Sequence, residues 1–161
     1  MKEGGFFTAH PEKAKSKIAI NSFMMGSLFF ILTLILATDP SKFGIVVITE
    51  LVLAIPFLYV SSLAYTKITY RSEAKLWDGF GWFTNNIGNL FVLNVVGLIT
   101  AEFFRNLALI YFGLIIVLFV IYSFINFIYH PKKIGQKLFK LLFLIVIIVL
   151  GGILPTLLNN L

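Results

Sequence analysis

The chain has 161 residues, of which 59% are hydrophobic and only 12% charged, with a formal net charge of +6 and no cysteine. A soluble domain is ~45–50% apolar and ~25% charged, and so short a chain has too little interior to hide the excess. This composition excludes disulfides, thiolate metal sites and thiol nucleophiles and predicts an all-α polytopic transmembrane bundle. The basic residues lie between apolar runs, where anionic lipid head groups are their natural partners; no nucleic-acid partner is expected, since no basic tail or reading motif is present.

The first apolar run, 18–38, follows Lys2, Lys13, Lys15 and Lys17. It is longer than the ~7–15 residues of a signal-peptide core, and Leu36-Ala37-Thr38 is a poor cleavage site. A retained span is therefore expected. Ser22 and Gly26, four residues apart, mark a seam for close helix approach. Asp39 to Phe43 is a turn, because Pro40 cannot continue the helix.

The second span, 44–66, holds Glu50, the one formally charged residue well inside an apolar run. At 1.5 Å of rise per residue it lies ~9 Å into the helix. Insertion scales put an acid at the centre of a span at ~2.5–3.5 kcal/mol, so something should offset it. Arg105, Thr33 and Thr100 are the expected partners, and protonation would also remove the cost. Pro56, six residues on, is expected to kink the same helix, first as a tolerated packing kink and, as the alternative, in the manner of broken transporter helices.

A loop, 67–86, follows and reads as an interfacial segment on the cytoplasmic side. Lys67, Arg71, Lys75 and Asp78 share one helical face. Leu76 and Phe80 fall opposite, Trp77 and Tyr70 flank them, and Gly79 and Gly81 are expected to loosen the backbone before Trp82. Tryptophan favours the head-group layer, so Trp77, Trp82 and the three basic residues are the expected anchors.

The third span, 87–104, is short and contains Gly88, Asn89, Asn94 and Gly97, with Glu102 near its end. Charge asymmetry decides that it crosses. Short loops rich in Lys and Arg stay cytoplasmic, and with five spans 11 of the 13 basic residues fall on one side. Without it, Lys132, Lys133, Lys137 and Lys140 would face outward. A tight hairpin, 102–106, leads to the fourth span at 107–129; the fifth runs 138–158, with Gly151, Gly152 and Pro155 loosening it. The expected arrangement is one membrane domain with the amino terminus cytoplasmic and the carboxyl terminus outside.

His10-Pro11-Glu12-Lys13 and His130-Pro131-Lys132-Lys133 open spans one and five alike. Proline suits a helix's first turn, so these read as lysine-anchored helix starts rather than metal ligands. Asn21, Asn89, Asn94 and Asn126 read, with Glu50 and Arg105, as the intramembrane polar set; amides in lipid seek one another across helices.

Catalytic chemistry is missing. Neither histidine lies within a span, which excludes an intramembrane haem pair or Ser–His protease; no second acid lies deep in a facing span, and no phosphate loop occurs. No cofactor or metal is expected. The leading expectation is a non-enzymatic membrane subunit or accessory acting through helix association, with itself or with other membrane proteins. The alternative is a small oligomeric transporter or channel using Glu50 and the asparagines. Small size and the lack of sorting signals fit a prokaryotic plasma membrane.

Overall fold

The computed structural model describes residues 11–70, 75–129 and 134–158. These residues are all helical apart from short links, and no strand occurs among them. In chain order they form α1 (Pro11–Ala37), a 3-10 turn (Pro40–Lys42), α2 (Ile45–Tyr70), α3 (Lys75–Phe103) and α4 (Arg105–Tyr129). Then come α5 (Ile134–Ile148), a π-helical segment (Val149–Ile153) and α6 (Leu154–Leu158). Among the described residues five helices, counting Lys137–Leu158 as one, are long and apolar enough to cross a membrane.

Local chemistry sets the boundaries. Beyond α1 the Asp39 carboxylate accepts from the Ser41 N–H at 3.2 Å and the Ser41 hydroxyl at 2.5 Å, an Asx turn that replaces the helical bonds Pro40 cannot make. A single residue, Phe104, separates α3 from α4: its N–H donates to Thr100 at 2.7 Å, and its carbonyl accepts from Ala108 at 3.0 Å.

Residues 67–70 prolong α2, and α3 begins at Lys75 and passes Gly79 and Gly81 without a break. The expected loosening is absent: Gly81 is packed against α2, where a Cβ would lie 3.2 Å from Ala64 and Tyr65, and the polar residues that follow bond within the helix. Thr84 donates to the Phe80 carbonyl at 2.9 Å and Asn86 to that of Trp82 at 2.6 Å. Arg71 lies outside the described residues, as do His10, His130, Lys132 and Lys133.

The helices divide into two compact units. One holds α1, the 3-10 turn and Leu51–Val92. Its seam is built on absent side chains: a Cβ on Gly88 would lie 2.8 Å from Leu58, and one on Gly81 3.2 Å from Ala64 and Tyr65. Gly81 and Gly88 are seven residues apart, as are Tyr65 and Leu58 in reverse order, so these stretches of α2 and α3 run antiparallel at close range.

The other unit holds Phe43–Glu50 and the chain from Leu93. Here α4 folds back along the end of α3. The Tyr111 hydroxyl donates to the Leu93 carbonyl at 3.1 Å, and the Phe112 ring fills the notch at Gly97, where a Cβ would come 2.7 Å from a ring carbon. Lys137 donates to the Asn126 carbonyl, so α5 starts beside the end of α4 and returns along it.

Candidate functional site

The second unit contains a buried carboxyl. Glu50 is 6% exposed, although it sits one and a half turns into α2, and Asn94 on α3 is fully buried. Asn94 Nδ2 donates to Glu50 Oε1 at 3.2 Å and to the Ile147 carbonyl on α5 at 3.4 Å, a long bond. Both amide hydrogens are thereby used. Glu50 Oε2 and Asn94 Oδ1 are buried and have no hydrogen-bond partner among the described residues.

The helix opposite is shaped for this contact. A Cβ on Gly151 would collide with Glu50 Oε1 and Asn94 Nδ2, and one on Gly152 would meet the Phe112 ring and lie 3.0 Å from Asn94 Oδ1. Only hydrogen at both positions lets the two polar side chains and the ring reach the backbone. The helix is widened here, with the Leu154 N–H bonding the Val149 carbonyl. Pro155 follows at once. It lacks an N–H for the Gly151 carbonyl and would crowd it in a regular α-helix; a π turn is one of the usual ways to absorb such a misfit.

Arg105, Thr33 and Thr100, the partners expected for Glu50, bond elsewhere. The Arg105 guanidinium donates to the Leu157 carbonyl at 3.1 Å, and the two threonines donate to Phe29 and Val96 in their own helices, both at 2.8 Å. Glu102 Oε1 accepts the Gly44 N–H at 3.1 Å, capping the start of α2. Depth along each helix suited the expected partners, but the direction around the helix selected Asn94.

The first unit has its own polar cluster. Asn21, 1% exposed, donates to Ser61 Oγ at 3.3 Å and, at a long 3.5 Å, to the Leu58 carbonyl. Ser61 in turn donates to the Gly81 carbonyl at 3.1 Å, so one hydroxyl ties α1, α2 and α3 together. Lys17 donates to the buried Tyr65 hydroxyl at 2.6 Å. In the sequence only the two-turn spacing of Gly81 and Gly88 marks this face of α3; nothing there joins Lys17, Ser61 and Tyr65.

The other sequence candidates do not join either cluster. Asn89 is half-buried on α3, five residues and therefore a wide angle away from Asn94. Asn126 donates to the Tyr122 carbonyl of its own helix at 3.3 Å. Among the expected anchors, Lys67 is exposed at the end of α2, Trp77 is partly exposed, Trp82 is half-buried, and Lys75 opens α3. No group of three or more His, Cys, Asp or Glu able to hold a metal occurs among the described residues. No family model, curated protein or solved structure matches the chain.

Proposed function

We propose that the chain is a five-span integral membrane protein that acts by binding a transmembrane helix of a partner, as a subunit or accessory of a larger membrane assembly. In this reading the amino terminus and the lysine-rich loops are cytoplasmic, against anionic head groups, and the carboxyl terminus is outside. The exposed apolar side chains of α1 and α4, such as Phe23, Phe30, Ile110, Leu114 and Leu118, then face lipid.

The observation that carries the association reading is Gly26. A Cβ there meets nothing within 4 Å, and Ser22, one turn earlier, is exposed too. Lipid tails supply no hydrophobic force between helices, so association depends on small residues that let backbones approach. The comparable notch at Gly97 is filled by the chain's own Phe112; the one at Gly26 is open. Ser22 and Gly26 lie in a groove of about 560 Å³ lined also by Met25, Phe29, Ile55, Pro56 and Tyr59, mostly apolar and suited to a partner helix.

Purification from native membranes in mild detergent tests this. Gly26→Leu should lose a membrane protein that wild type retains, whereas Gly113→Leu, at another glycine with open space around it, should keep it. Equal recovery by both variants, or no membrane protein with wild type, refutes the reading. One observation favours the transporter or channel reading: the buried Glu50–Asn94 pair, a polar centre at membrane depth. Solute flux by reconstituted protein, lost in Glu50→Gln, would put that reading first.

A further inference from the structure

Glu50 and Asn94 share one hydrogen bond, and each carries one buried oxygen without a partner. A carboxylate only accepts, and so does an amide oxygen. A carboxylic acid and a primary amide, by contrast, can close a ring of two hydrogen bonds: amide N–H to acid carbonyl, and acid O–H to amide carbonyl. The first of these is present at 3.2 Å. The atoms the second would join, Glu50 Oε2 and Asn94 Oδ1, are the two left over. A single proton completes the pair.

We propose that Glu50 and Asn94 form a proton-binding site in which Glu50 is held as the neutral acid, its hydroxyl donating to Asn94 Oδ1. Burial supports this, because an isolated charge in an apolar interior costs far more than a hydrogen-bonded neutral group. Among the described residues no charged side chain bonds the pair. Gly151 and Gly152 on the π segment lie against it, and the Ile147 carbonyl on α5 accepts from Asn94. Of the ionisable groups on the same elements, Glu102 bonds Gly44, Arg105 bonds Leu157 and Tyr111 bonds Leu93. Lys137, at the start of α5, bonds the Asn126 carbonyl, and Lys140 lies about seven residues, some 10 Å, along the helix from Ile147.

A metal cation fits the same atoms poorly. A hard cation collects six or more oxygens, whereas the glycine backbone lies so close that it leaves no room for a methyl group beside either side chain. Asn21 Oδ1 is unpartnered too, so an orphaned amide oxygen alone signifies little. What distinguishes this pair is that both leftover oxygens belong to side chains already bonded to each other.

Infrared spectroscopy of the full chain in phosphatidylcholine vesicles tests the site. At pH 7 exposed carboxyls, with reference values near ~4, are ionised. Wild type should nevertheless show a protonated-acid carbonyl band that shifts in D2O and on carboxyl-13C-glutamate labelling. The band should vanish in Glu50→Gln. That variant should still fold, since one of its amide N–H groups replaces the acid O–H in the ring. Absence of a label-sensitive acid band in wild type overturns the proposal whether or not any variant folds, as does a band that persists in Glu50→Gln. Vesicle flotation reports membrane insertion separately, so a failure of the five-span reading is distinguishable.

Discussion

Three residues offer a clean measurement of how tightly α3 and α4 are packed. In a helix interior, glycine to alanine is worth about 0.8–1.0 kcal/mol in favour of alanine from propensity alone. At Gly113, where a Cβ meets nothing within 4 Å, that gain should appear undiminished. At Gly97 the same methyl would overlap the edge of the Phe112 ring, with two further ring carbons at 2.7 and 2.8 Å, and overpacking of this kind costs about 1–3 kcal/mol. Gly97→Ala should thus be less stable than Gly113→Ala by about 1–3 kcal/mol, roughly a five- to 150-fold difference in the unfolding equilibrium at 1.4 kcal/mol per tenfold. Denaturation of each variant in mixed detergent micelles reads the difference directly. A cycle with Phe112→Leu tests the contact: in the Gly97→Ala, Phe112→Leu double variant the trimmed ring should recover at least half of the Gly97→Ala loss, an interaction energy in the range of about 0.5–3 kcal/mol for residues in contact. Identical effects at the two glycines, or strict additivity with Phe112→Leu, would show that the ring does not occupy the Gly97 notch.

Two further outcomes follow from the polar residues and the charges. Ser61→Ala removes the acceptor of the Asn21 amide and the donor to the Gly81 carbonyl. It should cost about 1 kcal/mol in the same unfolding assay, between the ~0.6 typical of interhelical bonds in lipid and the ~1–3 of orphaning a buried group; an unchanged midpoint would mean the hydroxyl is not the tie between α1, α2 and α3. For topology, reporters fused after Leu161 and inserted at Phe104 should both report an extracytoplasmic position in intact cells, and a cytosolic signal from either would refute the five-span orientation.

The helices were legible in the sequence because about 20 apolar residues in succession, the length a bilayer crossing needs, leave few ways to read 107–129 or 138–158. Glu50 was legible for a related reason, as an acid within such a run stands out. Its partner was not. Depth along a helix can be counted from the chain, but which way a side chain points depends on the rotation of two helices about their axes, and Asn94 won over Arg105 on rotation. Glycine hides its role still more thoroughly. In sequence Gly81 looks like a weak point, yet in the structure it is a place where α2 comes close, with Ala64 and Tyr65 3.2 Å from where a Cβ would stand. Gly151, Gly152 and Pro155 did read as a looser stretch, and the π segment is the form that looseness takes.

The least apolar span is also the one whose small and polar residues are most used, and the two facts have one cause. Lipid tolerates only apolar side chains on a helix surface, whereas a neighbouring helix accepts a glycine notch or an amide with its own partner. In the first unit α3 offers Gly81 and Gly88 to α2; in the second it offers Asn94 to Glu50 and Gly97 to Phe112. Its doubtful hydropathy is thus a mark of protein on its faces. Replacing Asn94 and Gly88 by leucine should therefore act in opposite directions in two assays. As an isolated segment presented to the insertion machinery, the double variant should enter the membrane more readily, because leucine is favourable by about 0.3–0.6 kcal/mol at a span centre. In the whole protein it should be destabilised, since a side chain at position 88 would start 2.8 Å from Leu58 and Glu50 would lose its bond from the Asn94 amide. Improvement in both assays would mean that α3 faces lipid, and the polar contacts drawn through it would fall together.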